Sequence, residues 1–288
     1  MSGLVLVSSP DGLLVVDKPA GMTSHDVVAR ARRTLGTRKV GHAGTLDPMA
    51  TGVLILGVGR ATRLLTYVVG TDKVYRATIR LGQSTITDDA EGEVTFEKAA
   101  GDVTGIESAL AGMTGEMDQV PSAVSAIKIK GVRSYHRVRQ GEQVELPARR
   151  VHIRRIDVLA IRRETDVTDV DVEVECSSGT YIRAIARDLG AALDVGGHLT
   201  ALRRTRVGNF TIDEASDDLI PVSAALERLM PLRHIDADQA RVVAHGGPLP
   251  PVGQPGPYGV VGPDGAVLAV FSERDGRARP EIVLVGGS

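Results

Sequence analysis

With 288 residues and a formal net charge of −2, the chain is long enough for one sizeable core and a small second domain. Its 42% apolar and 24% charged composition excludes a disordered or membrane-spanning protein. Its single cysteine, Cys176, excludes an intrachain disulfide and a cysteine-rich zinc site.

The opening MSGLVLVSSPDG lacks the basic, apolar and small-residue pattern of an export signal, so a cytoplasmic protein that stays off the membrane is expected. Leu13 to Val16 has the pattern of a short buried strand, and Thr23 or Ser24 caps a helix whose Val27, Val28, Ala31 and Leu35 recur at helical spacing until Gly36. Ser24, His25 and Asp26 are adjacent and cannot face one another as a catalytic triad does. Lys18, before Pro19, bears on a phosphate or is simply exposed. Gly41 to Leu54, GHAGTLDPMATGVL, mixes three glycines, a histidine and one carboxylate without a helix or strand period, which predicts a functional loop. Pro48 pushes Asp47 towards extended geometry, so its carboxylate is either presented to a ligand or closes an Asx-turn.

Val53 to Val58 reads as a buried strand and Ala61 to Val69 as a short helix ended by Gly70. Between them GVGRAT lacks the third glycine and the later acid of a dinucleotide fingerprint. Lys73 to Leu81 alternates as a strand with Tyr75, Ala77, Ile79 and Leu81 on its apolar face. TDDAEGE, from Thr87 to Glu93, lacks the ligand spacing of a calcium loop and predicts a solvated turn. Ile106 to Ala111 is helical, and a strand-like SAVSAIKIK leads into the arginine-rich GVRSYHRVRQGEQVELPARR. From Lys128 to Arg163 eleven Lys or Arg stand against three acids, a balance of +8, whereas from Val207 onward six basic residues meet eleven acidic, or −5. Polyanion binding is therefore expected in the middle of the chain, the alternative being a solvated surface. Strands follow at Arg149 to Ile161 and Val170 to Glu175. Next comes a helix capped by Thr180 and stopped by Gly190, with Arg183 in its first turn, where a cation opposes the helix dipole and asks for an acidic partner. Cys176, before it, reads as a buried structural thiol. Two short helices, a stretch from Gly246 to Gly259 with ten Gly or Pro in fourteen residues, and a small antiparallel sheet around a Pro-Asp-Gly turn complete the chain.

The Gly41 to Leu54 loop resembles the signature loop of the pseudouridine synthases of the TruB type. Further matches follow in the same order: DKPAGMTSHDVV from Asp17, DKVYRATIRLG from Asp72, QVPSAVSAIKIKG from Gln119, CSSGTYIRAIARDLG from Cys176 and LRRTRVGNF from Leu202. Beyond Met230 the resemblance thins, and the last part resembles a reduced PUA-type RNA-binding domain by position and strand content. The resemblance implies an α+β fold: a mixed, mainly antiparallel sheet with flanking helices in a catalytic domain over 1–230, and a small β-rich, PUA-like domain over 231–288. It also implies a basic thumb insertion around 122–150 and RNA crossing the sheet face.

The implied activity is isomerisation of uridine to pseudouridine at position 55 in the T loop of tRNA. Asp47 is the implied nucleophile and Arg183 its partner; Tyr75 stacks on the target base, Leu202 lines the base pocket, His42 fills the space the base leaves, and Lys18 sits near the loop. On residue chemistry alone Tyr75 is equally a core tyrosine, His42 a structural histidine and Arg183 a surface partner of Asp188. No cofactor and no metal are expected, because no water must be activated. The partner is the tRNA T arm and the expected state is a monomer. A non-catalytic tRNA-binding or folding factor would need the basic stretch but not Asp47 with Tyr75 and Arg183, and a glycoside hydrolase would need a second carboxyl group.

Overall fold

The computed structural model describes residues 11–122 and 146–285, with a strand pair at 128–129 and 132–133 between them. The thumb expected at 122–150 lies largely outside these residues. In chain order the first half comprises β1 (Gly12–Lys18), α1 (Ser24–Thr34), β2 (Val40–Ala43), β3 (Thr51–Val58), α2 (Leu65–Val69), β4 (Lys73–Leu81), β5 (Gln83–Thr85), β6 (Val94–Glu97), α3 (Ile106–Ala111) and β7 (Gly115–Gln119). After β8 (Lys128–Ile129) and β9 (Val132–Arg133) come β10 (Arg149–Arg163), β11 (Thr168–Cys176), α4 (Ile182–Ala192), β12 (Gly197–Val207), β13 (Phe210–Thr211), β14 (Ile220–Pro221) and α5 (Val222–Leu229). The chain closes with β15 (Leu232–His234), α6 (Ala237–Ala244), β16 (Tyr258–Val261), β17 (Val267–Arg274) and β18 (Arg277–Val283).

Alternation along β4 and β11 determines how the main sheet is covered. Tyr75, Ala77 and Ile79 of β4, with Val170, Val172 and Val174 of β11, turn inward onto Ile182, Ile185 and Leu189 of α4 and Ile106 and Leu110 of α3. The intervening residues form a cross-strand ion-pair lattice on the opposite face. Arg76 meets Glu173 at 3.1 Å, Arg80 meets Asp169 at 2.8 Å, and Arg206 meets Glu175 at 2.7 Å. β10 joins this lattice, with Arg155 on Glu173, Arg162 on Asp171 and Arg154 on Asp72. Opposite charges facing each other across neighbouring strands stabilise the pairing modestly, and here they also neutralise most arginines of the described half of the basic stretch. The +8 balance therefore does not become a free positive surface on β10. Sequence counting missed this because the compensating acids lie on other strands.

The main sheet runs β14-β1-β3-β12-β4-β11-β10-β7, with β2 on β3 and β13 on β12. Every ladder is antiparallel except β12 against β3, where Arg203 lies opposite Thr51 and Arg204 opposite Gly52. α1 covers one face of β1 and β3 through Val27, Val28 and Ala31, and Ala225 of α5 helps cover the other. A second sheet, β15-β16-β17-β18, packs around Tyr258, Phe271 and Ala278. It is antiparallel as expected except for β15, which runs parallel to β16. Leu64, Leu226, Met230, Val270 and Leu284 form one apolar cluster between the two sheets, and Tyr67 donates to Glu281 at 2.7 Å beside it. The mixed, mainly antiparallel sheet with helices on it and the separate C-terminal β unit are the expected α+β architecture.

Three local expectations change. The ends of the Gly41 to Leu54 stretch are strand, with His42 opposite Leu56 and Ala43 opposite Ile55; pairing with the buried β3 overrides the weak strand propensity of Gly, His and Ala. The segment before α2 is a 3-10 turn, Gly59–Leu64. Gly190 does not stop its helix, because α4 continues to Ala192. It serves close packing instead: a Cβ there would lie 2.1 Å from the Gly197 nitrogen at the start of β12.

Gly52, at φ +99°, lets β3 and β12 meet, since a Cβ there would lie 2.1 Å from the Arg204 carbonyl oxygen. Gly52→Ala combines an unfavourable backbone region with overpacking and should cost about 2–4 kcal/mol. A guanidinium unfolding midpoint equal to wild type would show that the two strands can separate freely here.

Candidate active site

The loop carrying Asp47 is held from below by the segment that leads into α1. Ser24 accepts from the Leu46 amide at 2.9 Å and donates to the Leu46 carbonyl at 3.2 Å. The Lys18 ammonium is fully buried and donates to the carbonyls of Pro19 (2.9 Å), Met22 (2.6 Å) and Pro48 (3.2 Å). Lys18 thus ties two loops together beneath the site and does not offer its charge to a phosphate. The expected phosphate contact gives way to this role because three carbonyls occupy its three donors. Burial pushes its pKa down, opposed by the nearby Asp47 carboxylate.

Asp47 lends its backbone carbonyl to a turn, accepting from Ala50 at 3.1 Å, while its carboxylate faces Arg183 Nη2 at 3.1 Å. The Arg183 side chain is 6% exposed, and its Nη1 lies 3.3 Å from Asp89 and donates to the Thr87 carbonyl at 2.9 Å. The acid that a first-turn cation asks for is thus supplied twice. Asp188, the alternative partner, pairs with Arg187 at 2.8 Å. Asp89 itself is 3% exposed and accepts from Thr87 Oγ1 and the Glu91 amide. This corrects the solvated turn expected for Thr87 to Glu93: its acidic composition hid a carboxylate folded inward to meet a buried guanidinium. The cap of α4 also differs from expectation. Tyr181 is the N-cap, its amide donating to Gln119 Oε1 at 2.8 Å while Gln119 Nε2 donates back to the Tyr181 carbonyl at 3.1 Å. Thr180 donates to the Ser177 carbonyl instead.

Asp47, Tyr75, Arg183 and Leu202 line one cavity of about 460 Å³, together with Gly44, Lys73, Arg149, Tyr181 and Arg204. Tyr75 reaches it from β4, where burial raises its hydroxyl pKa, and Leu202 from β12. Arg204, Lys73 and Tyr181 carried no sequence signal strong enough to single them out. Arg204 is 1% exposed and braces the loop by donating to the Val53 carbonyl at 2.8 Å and the Gly44 carbonyl at 3.0 Å. Lys73 donates to the Val69 carbonyl at 2.6 Å, and burial, then the charge of Arg204, push its pKa down to about 8. One carboxylate thus faces a wall of cations and aromatic edges, an arrangement suited to a planar base carrying a phosphate.

His42 does not line this cavity. It stands on β2 with its ring edge-on to His25, centroids 5.3 Å apart at 79°, and among the described residues its buried Nδ1 has no hydrogen-bond partner. Burial lowers its pKa and favours the neutral ring. Cys176 ends β11 fully buried, its thiol pushed up to about 11 by burial, which leaves it protonated at neutral pH.

Lys73 gives the site a pH signature. With its folded pKa below that of the unfolded chain, the unfolded state binds more protons between about pH 8 and 10, so stability rises with pH across that window. The unfolding midpoint of wild type minus that of Lys73→Met should therefore grow from pH 8 to 10. A difference that stays constant would mean that the ammonium titrates as in an open chain.

Residues 32–182 match the family model described as "TruB family pseudouridylate synthase (N terminal domain)". Residues 183–230 match the "tRNA pseudouridylate synthase B C-terminal domain", and 230–285 match "tRNA Pseudouridine synthase II, C terminal". A Thermobifida fusca (strain YX) protein named tRNA pseudouridine synthase B is 53% identical over 290 residues, covering 96% of this chain and 99% of its own. A protein of the same name from Nocardia farcinica is 57% identical over 284 residues, covering 95% and 93%. Among solved structures, a chain of a Cbf5-Nop10-Gar1 complex superposes with a TM-score of 0.70 at 25% identity, covering 95% of this chain and 85% of that one. The chain belongs to the TruB family of pseudouridine synthases.

Proposed function

We propose that this protein isomerises uridine to pseudouridine in tRNA, at position 55 of the T loop, with Asp47 as the nucleophile. The observation that carries the reading is the Asp47 carboxylate, held by a buried guanidinium at 3.1 Å at the wall of a cavity that Tyr75 and Leu202 also line. The relatives named tRNA pseudouridine synthase B, matched over nearly the whole chain, support tRNA as the substrate. The target base leaves the stack and enters the cavity, where the Tyr75 ring offsets part of the unstacking cost of a few kcal/mol. Asp47 attacks the target nucleotide and the glycosidic bond breaks; the uracil turns and rejoins the ribose through C5 as the bond to Asp47 is released, C5 giving up its proton and N1 gaining one. His42, at the edge of the loop with a neutral ring, fills the space that the base vacates. The C-terminal unit from 231, with its own apolar core, serves as a PUA-like accessory.

A glycoside hydrolase is disfavoured by the second carboxyl group. Asp89 stands behind Arg183 at 3% exposure, and among the described residues that line the cavity Asp47 is the one carboxylate, where that chemistry uses two. A purely RNA-binding role leaves the Arg183 clamp on Asp47 without purpose.

Asp47→Asn keeps size and hydrogen bonding but removes the charge, so pseudouridine formation should be lost while tRNA affinity is retained. Turnover by Asp47→Asn close to the wild-type rate would exclude the carboxylate as nucleophile. At Tyr75, Phe retains the stacking ring and Leu does not. If stacking is the whole role, Tyr75→Phe should modify tRNA near the wild-type rate; if the hydroxyl also takes part in proton transfer from C5, it should bind tRNA but stall in a single turnover.

A further inference from the structure

We infer that a second basic surface, formed by Arg32, Arg33, Arg38 and Lys39, binds the phosphate backbone of the same RNA at a distance from the pocket. This rests on the proposed RNA substrate. From Val27 to Leu46 the sequence contains five cations and no acid. Arg150, Arg154, Arg155 and Arg162 of β10 are all paired with carboxylates. Among the described residues, no carboxylate makes an ion pair with Arg32, Arg33, Arg38 or Lys39. The nearest acids are engaged elsewhere. Asp26 closes the capping box with Thr23, and Asp11, whose charge Lys39 feels, is bonded to Arg60. Arg30 is set apart because it lines a groove that also contains Asp17 and Asp217.

Placement gives the surface its meaning. α1 begins at Ser24, bonded to Leu46 in the Asp47 loop, and its rise carries Arg32 and Arg33 roughly 12–14 Å away. β2 enters the same loop from the opposite direction, so Lys39 stands about 17 Å of strand before Gly44 of the cavity wall. Arg32 ties the two together by donating to the Val40 carbonyl at 2.9 Å. Both segments thus run from the site to one exposed basic end. Arg32 and Arg33 in the last turn also suit the helix dipole, but that effect does not reach Arg38 and Lys39, which lie beyond the helix. Separations of about 12–17 Å correspond to roughly four to five steps of a nucleic acid duplex at 3.4 Å per phosphate, so the partner is the backbone of a folded RNA whose target base is already in the cavity.

The test uses the full chain and an unmodified tRNA transcript, with affinity measured against salt and pseudouridine formation measured at saturating RNA. The variant is Arg33→Gln, Arg38→Gln and Lys39→Gln together; Arg32 is kept for its backbone bond. The log–log salt slope should become shallower by about 0.7–0.9 for each lost contact, roughly 2–3 in all. Affinity should fall while the saturating rate holds, and the charge-preserving double variant, Arg33→Lys with Arg38→Lys, should keep the wild-type slope. A wild-type slope in the Gln variant, or a lost rate at unchanged slope, would overturn the assignment. If wild type itself forms no pseudouridine, it is the functional reading that fails, a separate outcome.

Discussion

The buried guanidinium of Arg183 is the constraint on which the rest of the site depends. A cation taken out of water must be met by charge and hydrogen bonds, or its burial is strongly unfavourable. Asp47 on one side, and Asp89 with the Thr87 carbonyl on the other, meet that requirement from segments far apart in sequence. The Asp47 loop, the turn after β5 and the first turn of α4 are therefore fixed relative to one another by one side chain. A carboxylate on a glycine-rich loop would otherwise sample many orientations; its ion pair to a helix packed on the sheet removes most of them. Lys18, Ser24 and Arg204 complete the arrangement from beneath, each bonded to loop backbone.

Charge is divided among three places. On the outer face of the main sheet arginines and acids alternate across β10, β11, β4 and β12 and largely cancel, which stabilises the ladder and leaves little field. Around the cavity Lys73, Arg149, Arg183 and Arg204 outnumber Asp47, so the potential there favours an anion. At the far end of α1 and before β2, no carboxylate among the described residues makes an ion pair with Arg32, Arg33, Arg38 or Lys39, although Asp11 lies close enough to Lys39 to feel its charge. A chain with a net charge of −2 can in this way present local positive surfaces to a polyanion.

Much of the fold was legible because alternation and spacing carry it: β4, β3, α1 and its Thr23 cap lie where period and cap chemistry predict. The grouping of Asp47, Tyr75, Arg183 and Leu202 was anticipated through the family motifs; nothing local in the sequence announces that four segments will converge. What was missed is tertiary. Asp89 reads as solvated until the buried arginine it faces is known, and Arg204 looks like one of several strand arginines until its turn under the loop is seen. The count of cations over 128–163 does not foresee that Arg150, Arg154, Arg155 and Arg162 meet acids, because charge along a chain says nothing of the neighbouring strand, while the shorter cluster after Ala31 reads as the end of a helix.

The most direct test of the account is release of tritium from C5 when the wild-type protein is incubated with tRNA transcript labelled at C5 of its uridines, followed by mapping of the modified position. Isomerisation requires the C5 proton to leave as the new carbon–carbon bond forms, so release should approach one equivalent per tRNA and map to the T loop without added metal or cofactor. Absence of release, or release mapping elsewhere in the tRNA, would contradict it.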